Sequence, residues 1–123
     1  MSAELQSAVP VLRIFSVEKA REFYVDFLGF TWDWEHRFSD NSPLYAQVSR
    51  GKVILHLSEH HGDGSPGAGV MIFMTGIGDY HRELTARNYP YYRPGVEDAP
   101  WGARIMKLRD PFHNCLTFAE DNK

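Results

Sequence analysis

Cysteine is nearly missing from this chain. Cys115 is the only one, so no internal disulfide can form and a reducing compartment is the expected setting. Long apolar runs are missing too. The longest, Val70 to Met74, falls far short of the ~20 residues that cross a bilayer, so no membrane span is expected. Positive charge is in deficit: 13 Lys and Arg stand against 16 Asp and Glu, a net charge of −3. A nucleic-acid partner wants a basic face, and none is expected here. Met1 to Gln6 lack the positive start and apolar core of an export signal, which points to the cytoplasm. No glycine-rich loop opens a helix; Gly62-Asp63-Gly64-Ser65-Pro66-Gly67 reads as a turn rather than a phosphate cradle.

What remains is an ordinary globular composition, 43% hydrophobic and 24% charged over 123 residues, suited to one domain spanning 1–123. Aromatic residues stand out at 14%. Trp32, Trp34 and Phe38 cluster early; Tyr89, Tyr91, Tyr92 and Trp101 cluster late. Most such rings belong in a core, and a few are expected to line a pocket.

Ala8 to Phe15 reads as a strand. Ser16 is a good N-cap for the helical spacing of Val17, Ala20, Phe23, Tyr24, Phe27 and Leu28, and Gly29 supplies the left-handed stop. Phe30 to Phe38, Leu44 to Val48 and Val53 to Ser58 are strand candidates. After a linker at 61–67 the pattern restarts. Val70 to Met74 forms a strand, Ile77, Tyr80 and Leu84 share a helical face, and Asn88 takes the role of Gly29. Strands follow near Tyr89 to Arg93, Ala103 to Leu108 and Cys115 to Ala119. The expectation is an α+β fold of two βαβββ modules, about 8–60 and 68–121, repeated in pattern rather than identity. Two curved sheets facing each other would leave a concave cleft for a ligand.

Little here suggests catalysis. Along a strand, His56 and His60 lie roughly 13 Å apart at about 3.3 Å per residue, too far to share an ion. His60 and His61 are expected in solvent near a loop. Glu59 and Asp110 have no evident carboxylate partner, and Cys115 has no evident base.

Ala8-Val9-Pro10-Val11-Leu12, Phe23-Tyr24 with Leu28-Gly29-Phe30, Pro100-Trp101-Gly102, Arg109-Asp110-Pro111 and Asn114-Cys115 carry a family resemblance. The chain resembles the glyoxalase/bleomycin-resistance (vicinal oxygen chelate) superfamily, and most closely the bleomycin-resistance proteins. Metal-dependent members place ligands at positions matching Val9, His56, Val70 and Thr117 here. Only His56 is an ordinary ligand, and a divalent ion needs three or four, so the resemblance implies no metal, no cofactor and no catalytic residue. It implies a homodimer whose N-terminal arm crosses to the partner, pivoting at Pro10. Proline on an edge strand accounts for the same residue equally well. The implied ligand is bleomycin-like, with a planar aromatic group and a cationic tail. Its site would comprise Asp33, Trp34, Phe38, His56, Trp101, Gly102 and Cys115. Departures from the family are Trp32, His36, and His113 where a glycine is usual. The reading is non-enzymatic sequestration of such a drug, conferring resistance. The alternatives are a metal-dependent lyase or isomerase of the glyoxalase type, or a binder of another small aromatic metabolite.

Overall fold

A computed structural model describes residues 2–90 and 93–122. Each half follows the order strand, helix, three strands. The first half comprises β1 (Val11–Arg13), α1 (Val17–Ala20) continuing as a π-helical stretch (Arg21–Phe27), β2 (Thr31–His36), β3 (Tyr45–Arg50) and β4 (Val53–Ser58). The second comprises β5 (Gly69–Phe73), α2 (Ile77–Arg87), β6 (Val96–Ala99), β7 (Ala103–Arg109) and β8 (Cys115–Asp121). The strands form two four-stranded sheets, β1-β4-β3-β2 and β5-β8-β7-β6, which share one topology. We call them sheets A and B.

Local chemistry explains the boundaries. The Ser16 side chain accepts from Lys19 N–H and caps the first helix. That helix widens where Leu28 N–H reaches back five residues to Phe23 O, and the widened turn buries Phe23, Tyr24, Phe27 and Leu28 together. Gly29 ends it at φ +81, where any Cβ would fall 2.5 Å from Arg50 Nη1. Asn88 ends α2 in the left-handed region at φ 51, as the sequence suggests.

Strand alternation decides the faces. Leu12, Val48, Leu55 and Leu57 of sheet A and Ile72, Met106, Leu108, Leu116 and Phe118 of sheet B turn to the helices, and all belong to one buried cluster. Each fully buried large ring or branched chain there contributes about 1.5–3 kcal/mol. The two helices meet inside this cluster: Tyr89, just after α2, stacks on Phe27 at 4.6 Å and meets Phe23 edge-on at 5.8 Å.

Three sequence expectations change. The strand placed at Ala8 to Phe15 is shorter, Val11–Arg13, with flanking bonds from His56 N–H to Pro10 O and from Ile14 N–H to Ser58 O, while residues 2–8 lie exposed. The strand expected at Tyr89 to Arg93 lies instead at Val96–Ala99, since Tyr89 is spent on the helix seam; Tyr91 and Tyr92 fall outside the described residues. Most consequentially, the sheets do not face each other across a cleft. Their helix-covered sides share the core, so within one chain the open sides look away from it.

Candidate functional site

The open side of sheet A is set by register. Val11 pairs with His56, His56 with Gln47, and Gln47 with Trp34; Ser58, Tyr45 and His36 form the next row. A bulge between Trp32 and Trp34 re-aims β2 at this point. A polar chain runs across the face. Gln47 Nε2 donates to Asp33 Oδ2 at 3.1 Å, so Gln47 Oε1 accepts, and it lies 2.9 Å from His56 Nε2. His56 Nε2 therefore carries the proton, and Nδ1 accepts from the Tyr45 hydroxyl at 2.8 Å. Burial holds His56 below the ordinary histidine value, which keeps it neutral. Tyr45 is pushed up by burial and by the Asp63 charge.

Rings surround this chain. Trp34 stacks on Tyr45 at 6.1 Å and meets His56 edge-on at 5.4 Å. His60 lies 6.4 Å from both Tyr45 and Phe38, and Phe38 meets His36 at 5.0 Å. Trp34 remains 43% exposed and Phe38 81% exposed, so these rings do not serve the core. Asp33, Trp34, His56 and Phe38 are thus brought to one end of one face. Tyr45, Gln47 and His60 belong with them and escaped sequence reading. Tyr45 and Gln47 alternate with Ala46 and Val48, a period-two signal that was available. His60 was expected in solvent but is half-buried against rings.

Sheet B offers a different open side. Gly69, Met71 and Phe73 of β5, Cys115, Thr117 and Ala119 of β8, and Ile105, Lys107 and Arg109 of β7 share it. Ala99, Ala103, Ile105 and Ala119 form a small apolar cluster separate from the main core. Pro100, Trp101 and Gly102 make the β6–β7 turn, with Gly102 at φ +90, and Trp101 is 52% exposed. Trp101, Gly102 and Cys115 therefore belong to sheet B and the other proposed ligand residues to sheet A.

The metal positions implied by resemblance fit poorly. Val70 pairs with Leu116 and packs on the core, so it is on the wrong side of β5. Its neighbours on the Thr117 side are Gly69 and Met71, which supply no nitrogen or carboxylate. His56 already uses both ring nitrogens. Among the described residues, no three His, Cys, Asp or Glu side chains gather as a metal site. The donor set does not suit a divalent ion.

The polar groups outside the faces are structural. Asp110 is buried and accepts from the Tyr24 hydroxyl at 2.6 Å, from the N–H groups of Phe112 and Asn114, and from Asn114 Nδ2. Glu59 accepts from Leu44 N–H. No helix among the described residues is long and apolar enough to cross a membrane.

Comparisons with known proteins follow the same outline. No curated protein matches the chain. Among solved structures, the bleomycin-binding protein of bleomycin-producing Streptomyces verticillus, complexed with copper(II)-bleomycin, is 32% identical with a TM-score of 0.71, over 95% of this chain and 97% of that one. The bleomycin resistance determinant encoded on the transposon Tn5 is 20% identical with a TM-score of 0.74, over 97% and 100%. A glyoxalase-related enzyme from Clostridium phytofermentans is 19% identical with a TM-score of 0.73, over 97% of each chain. The last two likenesses show the fold alone. A family model described as glyoxalase superfamily protein matches residues 2–123, and the chain belongs to that superfamily.

Proposed function

We infer that this protein binds and sequesters a bleomycin-like glycopeptide in the cytoplasm without chemical conversion, and thereby confers resistance to it. The observation that carries this reading is the pair of outward faces, each with large rings left in solvent. Trp34 and Phe38 stand on sheet A beside the Asp33 carboxylate, and Trp101 stands on sheet B. Exposed rings bind a flat heteroaromatic group by stacking, and an acid attracts a cationic tail. The 32% identical relative, whose structure contains copper(II)-bleomycin, supports the same ligand class. The poor fit of Val9, His56, Thr117 and the residues around Val70 to a divalent ion favours binding over glyoxalase-type chemistry.

The same geometry supports a homodimer. One chain cannot enclose a ligand between faces that look away from its core, but sheet A of one copy can face sheet B of another. Two-fold symmetry then makes two equivalent crevices, with Asp33, Trp34, Phe38 and His56 from one copy meeting Trp101, Gly102 and Cys115 from its partner. Residues 2–8, exposed in the single chain, would cross to that partner with Pro10 as the pivot.

Calorimetric titration with copper-bleomycin tests the ligand, and sedimentation at micromolar concentration tests the assembly. Saturable binding at one drug per chain, on a species of twice the 14.1 kDa chain mass, is expected. Absence of heat with either metal-free or copper-loaded drug overturns the ligand. A 14.1 kDa species alone overturns the crevice.

A further inference from the structure

A cavity lies beside one end of sheet B, and its rim includes Arg109, the β7 residue paired with Cys115 on the open side. It occupies about 580 Å³ where the two modules meet, and is lined by Phe15, Lys19, Tyr89, Arg109, Pro111 and Phe112. It shares no residue with the Trp34 or Trp101 groups. Its volume falls in the ~300–1,000 Å³ range of small-molecule sites.

The chemistry of its walls is lopsided. The floor is aromatic: Phe15, more than half exposed, tilts against buried Phe112 at 6.2 Å, and Tyr89 closes the far side. The charged rim is basic. Arg109 donates only a long bond to His113 O at 3.5 Å, and no carboxylate pairs with it among the described residues. Arg13 lies with its guanidinium 4.6 Å over the Phe15 ring, likewise without a carboxylate partner, and its Nε is buried with no acceptor. Lys19 adds a third positive group, 3.7 Å from Glu22.

Lys19 has Glu22 beside it, but the neighbouring Asp110 cannot neutralise the two arginines. Asp110 adjoins the cavity in sequence, but its oxygens are committed to Tyr24, Phe112 and Asn114. In a chain with net charge −3, two arginines without acid partners beside one aromatic group mark an unfilled anion requirement.

We propose that this cavity is a second ligand site, and that its ligand is an amphipathic monoanion. The apolar, flat body lies on Phe15, Tyr89 and Phe112, and a carboxylate or sulfonate meets Arg109 and Lys19. Arg13 raises the positive potential from behind Phe15. A neutral or cationic ligand leaves Arg109 unpaired and is disfavoured. This site uses none of the residues proposed to contact the drug and is opposite to them in charge preference.

The test is an amide-resolved NMR titration of the whole protein with 3-phenylpropionate and, separately, with its neutral amide. Saturable shifts at Phe15, Lys19, Arg109 and Phe112 are expected, with the acid binding about tenfold more tightly than the amide. Arg109→Gln, exposed on the surface and expected to fold, should remove most of that preference. Phe15→Ala should weaken both probes together, and Trp101→Ala should change neither. Equal binding of acid and amide overturns the proposal, as does an unchanged preference in Arg109→Gln. Shifts centred on Trp34 or Trp101, or no saturation at about 20 mM, also overturn it.

Discussion

The seam between the modules and the open faces of the sheets use the same residue types for opposite ends. In the seam, polar atoms find partners across the module boundary. Tyr24 reaches Asp110, Tyr80 donates to Leu28 O at 2.8 Å, and Arg87 donates to Phe27 O at 2.7 Å. Arg50 adds a bridge to Glu83 at 2.7 Å, and Asn114 donates to Arg13 O. On the open faces, tryptophan and phenylalanine stay in water. Burial of an aromatic ring here reports stability, whereas on the proposed function an exposed ring is left for a ligand. Substitutions should sort accordingly, stability in the seam and affinity on the faces.

The largest expected effect is at Asp110. Asp110→Ala strands the Tyr24 hydroxyl, two backbone N–H groups and an amide in a buried place, and should cost roughly 3 kcal/mol or more of stability. Denaturant titration reads this, and a cost below about 1 kcal/mol breaks the idea of a seam held by that carboxylate.

Next comes the alkaline limb of stability. Burial pushes Tyr80 up to about 12 and also raises Tyr24, where the Asp110 charge adds to the effect. The unfolded chain releases these protons near pH 10 while the folded chain keeps them. The stabilisation is therefore complete below pH 10 and lost as pH rises towards 12. For Tyr80 alone the loss amounts to about 2–3 kcal/mol. Tyr80→Phe should flatten that decline, leaving the part due to Tyr24. An identical slope in wild type and variant would remove Tyr80 from the account.

Trp101 probes the faces. Trp101→Ala should weaken copper-bleomycin by about 2 kcal/mol, roughly thirtyfold, while the midpoint of unfolding hardly moves. If the ring belonged to a core, the same change would cost about 3–5 kcal/mol of stability instead. Measuring affinity and melting temperature on one variant decides between them.

The smallest effect sharpens the seam from its backbone. His113 stands at φ +71, a left-handed conformation that suits glycine, within the turn that presents Asp110 and Asn114. His113→Gly should raise stability by up to about 1 kcal/mol without altering ligand affinity. A fall in melting temperature would mean that the imidazole itself contributes to the turn.

Much of the fold was legible because local signals agreed. Ser16 and Gly29 bracket a helical spacing, Asn88 repeats the stop, and Val53–Ser58 alternates as a strand must. Where local signals conflicted, tertiary contacts won. Tyr89 has strand propensity, yet rings on the first helix claim it. His60 looked like a loop histidine, yet β3 delivers Tyr45 beside it.

The sequence by itself determined the alternation of covered and open positions within most elements, because period two on a strand and 3.6 on a helix follow from backbone geometry alone. It also determined the repeat of two modules, since each hydrophobic pattern carries its own stops. Which way the modules turn toward each other was decided only in three dimensions. Both the cleft arrangement and the back-to-back arrangement bury the same helix faces in sequence terms. The choice rests on long-range fits such as Tyr24 to Asp110, 86 residues apart, and Tyr80 to Leu28, 52 apart. No local window contains both partners of such a bond.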